Sequence, residues 1–178
     1  PLISKIYFKD SHNVPAHGFD GVQVSFNDNE KKLWLGESKL YKTGKSGVRE
    51  LAKDIEKHVN GDYLRKEFSL ISKKLPESVP EIEHWRTLMD KHQKLDVIFS
   101  SIVIPMVCTY NSELFKNHQD ETEEYLKDFT RECYELHDEF SKNNPSTNVE
   151  ILLLLLPVPD KDVLNTELDK RLKFMQQI

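Results

Sequence analysis

The chain has 178 residues, of which 38% are hydrophobic and 31% charged, and its formal net charge is −5 at pH 7. We expect one globular domain over residues 1–178, large enough to fold alone, and the net charge argues against a free-standing nucleic-acid binder. No run of 18 apolar residues occurs, and Pro1–Lys5 has no signal-peptide architecture. These features exclude membrane-spanning and secreted proteins and predict a soluble, cytoplasmic one. The absence of an initiator Met predicts that the chain lacks an N-terminal portion.

The first segment with candidate functional residues is a predicted β-hairpin. Ile3–Phe8, which precedes it, is expected to be a short strand or the end of an element cut off at Pro1. Apolar runs at 17–26 and 33–39 flank the polar break 27–32, which has turn chemistry. Pairing Phe26 with Leu33 sets Val22 opposite Glu37 and Asp20 opposite Lys39.

This register places Asp20, Glu37 and Lys39 on one face of the hairpin, because side chains alternate between faces. Two carboxylates beside an ammonium suit metal-assisted phosphodiester cleavage. Asp20 and Glu37 would bind Mg²⁺, with Mn²⁺ as an alternative, the Ser38 carbonyl would add a ligand, and Lys39 would stabilise or deprotonate the attacking water. The competing interpretation is a surface ion pair between Asp20 and Lys39, worth under about 1 kcal/mol.

The segment after the hairpin is basic. In residues 31–74 basic side chains outnumber acidic ones two to one, whereas acidic side chains dominate residues 112–178. A helix from Ser46, its N-cap, to Val59 ends at Asn60-Gly61. Its residues Arg49 and Lys53, with Lys45 and the loop residue His17, are candidate DNA phosphate contacts, and surface solubility is the alternative for the cations. Gly44-Lys45-Ser46 is not a P-loop, because Lys39 stands where that motif requires glycine.

Helices and strands follow in alternation. We predict a helix over Asp62–Leu75, another beyond Pro80, and a β-rich segment over 97–110 in which Pro105 implies a bulge or an edge strand. Trp85 is expected in the core, with base stacking as the alternative. Cys108 and Cys133 lack metal-ligand spacing, which argues against a zinc site or a disulfide framework.

The C-terminal third predicts a long helix, a strand and a final helix. The helix runs from Thr122 to Ser141 with an acidic, solvated face that suits a partner. The strand, Val149–Leu156, is apolar without alternation, as in a strand buried on both faces. The last helix opens at Asp160, with its apolar residues expected inward: Val163, Leu164, Leu168, Leu172 and Met175.

Three segments resemble a known family. Asp20 with Glu37-Ser38-Lys39 looks like the PD-(D/E)xK nuclease pattern. Residues 17–21, 35–42 and 152–159 are together similar to the nuclease subunit of the bacterial Hachiman antiphage system, over roughly Asn13 to Ile178. The resemblance implies a restriction-endonuclease-like α/β sandwich with a mixed central sheet flanked by helices.

The resemblance also implies a function. It is that of a metal-dependent DNA nuclease in antiphage defence, acting with a helicase subunit of the same system. The PD-(D/E)xK pattern usually has a preceding helix that may carry another acidic ligand, which nothing here matches. A non-catalytic interaction domain, docking a partner through the acidic helix, is the alternative.

Overall fold

The computed structural model describes residues 3–4, 18–26, 30–144 and 147–176. The strands are β1 (Ile3–Ser4), β2 (Gly21–Phe26), β3 (Lys31–Tyr41), β4 (Ile102–Asn111) and β5 (Glu150–Val158). The helices are α1 (Gly44–His58), α2 (Gly61–Ser72), α3 (Ile82–Leu88), α4 (Leu95–Ser101), α5 (Leu114–Asn117), α6 (Glu123–Asn143) and α7 (Lys161–Met175). In this part of the chain the strands form one mixed sheet in the order β1-β2-β3-β4-β5, flanked by helices. The predicted α/β sandwich class is confirmed.

The described residues divide into two compact units. The first takes those within 1–37, 54–106 and 145–152, and the second those within 38–53, 107–144 and 153–178. In the first unit the largest fully buried side chains include Phe19, Leu35, Phe68 and Trp85. The core of the second unit includes Leu51, Tyr110, Leu136 and Phe140.

The hairpin forms where predicted, but its register differs by two residues. Phe26 pairs with Lys31 and Val22 with Leu35, so the expected pairs of Phe26 with Leu33 and Val22 with Glu37 are wrong. The connection is shorter than the polar break suggests, because Lys31 and Lys32 belong to β3. A shift of two residues keeps every side chain on its predicted face, since the side-chain period is two.

Helix starts are set by capping side chains. The N-cap assignment of Ser46 is wrong, because α1 begins at Gly44 and the Ser46 N–H donates to Thr43 Oγ1 at 3.3 Å. Asn60, expected to stop α1, caps α2 by accepting from the Asp62 and Tyr63 N–H groups. The predicted starts of α6 and α7 are confirmed, with Thr122 and Asp160 as their N-caps.

Two predictions around β4 are wrong in part. Residues 97–101 are helical rather than extended, and the strand starts at Ile102. A helix of seven residues is too short for its periodicity to outweigh the β-branched side chains. Strand β4 lies between β3 and β5, so Pro105 is not on an edge strand. Trp85 is fully buried as expected, and its Nε1–H donates to the Pro80 carbonyl at 2.9 Å.

The C-terminal elements bury less than predicted. Strand β5 is last in the sheet order, and its residues alternate between exposed and half-buried, so it is not covered on both faces. An apolar run shows that a strand can be buried, but it does not show what covers it. Helix α7 has no buried residue, and its expected inward residues Val163, Leu168, Leu172 and Met175 are exposed.

Candidate metal centre

Glu37 lies on the buried face of β3. Leu33, Leu35 and Glu37 share that face because side chains alternate along a strand. Glu37 is 6% exposed, so its carboxylate takes a position that apolar side chains occupy earlier in the strand. Burying a carboxylate is costly unless polar groups or a cation compensate. The chemistry of this position therefore depends on the groups around it.

The last two turns of α1 supply those groups. Asp54 and His58 are four residues apart, which places them on one face of the helix. One ligand atom from each of Glu37, Asp54 and His58 lies within 4.8 Å of the other two. His58 Nε2 is 3.6 Å from Glu37 Oε2. Two carboxylates and an imidazole thus converge on one point within the first unit.

The His58 ring fits a bound cation. The side chain is 2% exposed, and within the described ranges neither Nδ1 nor Nε2 has a hydrogen-bond partner. An unsatisfied buried polar group costs about 1–3 kcal/mol. An ion held with the carboxylates of Glu37 and Asp54 would satisfy one of these nitrogens, and imidazole and carboxylate are common metal ligands. The residues present therefore fit a divalent metal ion.

Aromatic side chains fix the imidazole in place. The Phe19 ring stacks on His58 with centroids 4.4 Å apart and planes 29° from parallel. Tyr63, in the first turn of α2, lies 5.4 Å from His58 between ring centroids. Burial raises the pKa of Tyr63, and the carboxylates of Glu67, Glu37 and Asp54 raise it further. The phenol therefore stays protonated at physiological pH.

Gly18 allows Phe19 to reach this position. Its φ is +100°, in the region that side chains disfavour, and a Cβ there would overlap the buried carboxylate of Glu67. The close neighbour of Gly18 is thus the Glu67 side chain. Glycine at this position allows the turn that places Phe19 against His58.

The family model named HamA matches residues 1–172 of the chain. The chain belongs to the HamA family. Membership indicates a protein of the Hachiman antiphage defence system, in agreement with the resemblance of the three segments. No curated protein and no solved structure matches the chain. In the described part, none of the helices has the length and apolar character needed to cross a bilayer.

The predicted catalytic residues of this HamA-family chain have different outcomes. Glu37 is a member of the three-residue cluster. Asp20 is not, although its N–H donates to the Gly36 carbonyl at 2.8 Å, which places its backbone beside the residue before Glu37. Ser38 is exposed and Lys39 half-buried on β3. The roles assigned to Asp20, Ser38 and Lys39 stay predictions.

The predicted DNA contacts are exposed cations that already have acidic neighbours. Lys45 Nζ lies 3.6 Å from Glu135 Oε2, Arg49 Nε donates to Glu139 Oε1 at 2.7 Å, and Lys53 pairs with Glu50 at 2.5 Å. Two acidic side chains of α6, Glu135 and Glu139, therefore pair with cations of α1. His17 lies outside the described residues. These four contacts also stay predictions.

Asp54 and His58 are not among the candidate residues predicted from the sequence of this HamA-family chain. Basic residues outnumber acidic ones on the polar side of α1, and they point to phosphate contacts rather than to a metal site. The available signal was an acidic residue and a histidine at i and i+4 near the end of the helix, a spacing that brings two ligands together. Nothing in the sequence placed that pair beside Glu37.

Proposed function

We propose that this HamA-family chain is a metal-dependent DNA nuclease that hydrolyses phosphodiester bonds in Hachiman antiphage defence. The observation that supports this most directly is the buried carboxylate of Glu37, the acidic residue of Glu37-Ser38-Lys39, inside a group of metal-ligand side chains. A structural carboxylate would more commonly lie at the surface. A carboxylate that is buried beside other potential metal ligands is suited to binding a cation.

Each proposed site residue has a separate role in the reaction. Glu37 would hold the ion, with Asp20 and the Ser38 carbonyl as further proposed oxygen ligands, and Mg²⁺ or Mn²⁺ is the proposed cofactor. When bound, such an ion polarises the scissile phosphate and lowers the pKa of a bound water. Lys39 follows Glu37 by two residues, the spacing that places two side chains on one face of a strand. It would orient or deprotonate the attacking water, or stabilise the charge that develops on the phosphate.

DNA would bind through cations near the start of α1. Lys45, Arg49 and Lys53 are exposed, so each can exchange its acidic neighbour for a phosphate. Exposed ion pairs contribute about 0–1 kcal/mol, which makes the exchange inexpensive. His17 is the fourth proposed contact. Counterion release from DNA would supply much of the affinity, as is usual for phosphate contacts.

The direct test is cleavage of plasmid DNA with Mg²⁺ or Mn²⁺ by the wild type, Glu37→Gln and Lys39→Ala. We expect each substitution to lower the cleavage rate by about a hundredfold or more, because it removes a metal ligand or the group that activates water. Glu167→Gln and Lys170→Ala, an exposed ion pair on α7, are the matched controls and should cleave like the wild type. Equal cleavage by all five proteins would reject these roles.

A helicase subunit of the same defence system is the proposed partner. Family membership supports a partner within that system. The test is to express the chain with a helicase subunit of a Hachiman system and to measure co-purification and cleavage of duplex DNA. Co-purification with faster cleavage is the expected result, and failure to associate would reject the partnership.

A non-catalytic interaction domain is the second candidate. It is favoured by the large apolar side chains that α7 exposes, among them Leu168, Leu172 and Phe174. Such side chains are typical of surfaces that bind other proteins. Calorimetric titration with Mn²⁺ separates the candidates, because only the nuclease requires binding that Glu37→Gln abolishes.

A further inference from the structure

His58 raises the question of which cation the cluster selects. The residue is 2% exposed, and its two ring nitrogens have no hydrogen-bond partner in the part of the chain that the structure describes. Its Nε2 is turned toward Glu37, at 3.6 Å from Oε2. A buried imidazole is normally satisfied by a carbonyl, a carboxylate or a water. An ion bound beside Glu37 would satisfy the nitrogen that faces that carboxylate.

The spacing of the ligand atoms suits a single ion. Carboxylate oxygens and imidazole nitrogens lie about 2.0–2.2 Å from first-row metal ions, so two ligands of one ion are separated by about 3–4.4 Å. The Nε2 to Oε2 distance of 3.6 Å falls in this range. The ligand atom of Asp54 lies within 4.8 Å of those of Glu37 and His58. A small rotamer change of Asp54 would therefore be enough to bring all three atoms to one ion.

The imidazole is held by neighbours from earlier and from later parts of the chain. Phe19 stacks on its face, and Tyr63 approaches from the start of α2. Asp54 comes from the preceding turn of the same helix. Because the ring is fixed by its neighbours, little side-chain freedom remains to be lost when an ion binds.

We propose that Asp54 and His58 join Glu37 as ligands of one metal site, and that the imidazole makes this site select Mn²⁺ or a similar first-row transition ion over Mg²⁺. Mg²⁺ prefers oxygen ligands and keeps its water molecules, whereas imidazole suits transition ions. Asp54 and His58 thereby become ligands contributed by a helix. This inference deepens the proposed nuclease function. It rests on that function only in taking the bound ion to serve in DNA cleavage.

The selectivity is tested by binding, without DNA. Titrations of the chain with Mn²⁺ alone and with Mg²⁺ alone, followed by calorimetry, give the two dissociation constants. We expect Mn²⁺ to bind at least about tenfold more tightly than Mg²⁺, as the preference of imidazole for transition ions implies. His58→Gln should weaken Mn²⁺ binding by about tenfold or more and change Mg²⁺ binding by less than about threefold. His92→Gln, at an exposed histidine, is the matched control and should change neither.

A second measurement needs no substitution. In the wild type loaded with Mn²⁺, electron spin-echo spectroscopy should show modulation from a directly bound imidazole nitrogen. This keeps the proposal testable if His58→Gln unfolds, which circular dichroism would reveal. Absence of nitrogen modulation in the wild type overturns the proposal, as does an equal loss of Mn²⁺ and Mg²⁺ affinity in a folded His58→Gln protein.

The outcomes also separate this inference from the nuclease proposal. Mn²⁺ binding that depends on His58, without any cleavage of DNA, would uphold the ligand assignment and reject the nuclease. Cleavage with equal affinity for the two ions would uphold the nuclease and reject the selectivity. Failure of both ions to bind would reject both.

Discussion

The two halves of helix α1 use polar side chains in opposite ways. Its first half carries Lys45 and Arg49, which are more than half exposed and face acidic residues of α6. Its last two turns carry Asp54 and His58, which converge with the buried carboxylate of Glu37. Exposed pairs are weakened by salt and are easily exchanged, whereas buried polar groups must be compensated where they stand. Burial, rather than the number of charges, therefore distinguishes the candidate metal centre from the surface around it.

The largest expected effect is at Phe19, whose ring stacks on His58 of the candidate metal centre. Phe19→Ala should lower the free energy of unfolding by about 3–5 kcal/mol, because it removes a fully buried ring and its stacking on His58. Urea denaturation measures the loss. Phe26→Ala is the matched control, since Phe26 is 47% exposed on β2, and it should cost less than about 1 kcal/mol. Similar losses in the two variants would show that Phe19 is not a core residue.

In the first half of α1, Gly47 occupies a position with no room for a side chain. Replacing glycine by alanine inside a helix normally stabilises by about 0.5–1 kcal/mol. Here a Cβ would overlap the Cys108 thiol, so Gly47→Ala should instead lower the free energy of unfolding by about 1–3 kcal/mol. The check is a double-mutant cycle with Cys108→Ala, in which the combined loss is smaller than the sum of the single losses. Additive losses would mean that the two residues are not in conflict.

Much of the fold was predictable because it depends on local patterns. The periodicity of α1, α2 and α6 is strong, and the alternation in β2 and β3 identifies the hairpin. Local patterns did not predict burial where it depends on packing against another element. The leucines of β5 and α7 indicate surfaces that can be buried, but the sequence did not show that Leu154 and Leu168 remain exposed.

The cluster that forms the candidate metal centre was predictable only in part, for the same reason. Glu37 was identified because Glu37-Ser38-Lys39 is a local motif at the end of a strand. Asp54 and His58 are more than 15 positions further along, and their distance from Glu37 depends on how the end of α1 packs beside β3. The register of the hairpin also depended on a turn whose length the polar residues did not fix.

The basic half of α1 is tested by Arg49→Ala. If Arg49 contacts a DNA phosphate, the substitution should weaken DNA binding by about five- to tenfold at low salt and reduce the salt dependence by about one counterion. Fluorescence anisotropy with a labelled duplex at several salt concentrations measures both quantities. Arg171→Ala, at an exposed arginine of α7, is the control. An unchanged slope for Arg49→Ala would remove Arg49 from the proposed contacts.

The smallest expected effect concerns the acidic partner of Arg49. A hydrogen bond from Arg49 lowers the pKa of Glu139 below its ordinary value of 4.5, and the positive charge of Arg49 acts in the same direction. A depressed pKa in the folded state means that the pair stabilises the fold above pH 4.5, and that this contribution disappears as the pH falls through the folded pKa. The urea midpoints of the wild type and Glu139→Gln should therefore differ at neutral pH and converge below pH 4.5.

The same substitution separates the exchangeable pair from the buried cluster. Glu139→Gln leaves Arg49 without its anionic neighbour, so DNA affinity at neutral pH should rise by about two- to threefold, in keeping with the small worth of an exposed pair. Mn²⁺ affinity should not change, because Glu139 is not a member of the candidate cluster of Glu37, Asp54 and His58. Glu167→Gln, which removes an acidic side chain from the ion pair on α7, should change neither quantity. A rise in Mn²⁺ affinity, or a loss of DNA binding, would mean that the two halves of α1 do not act separately.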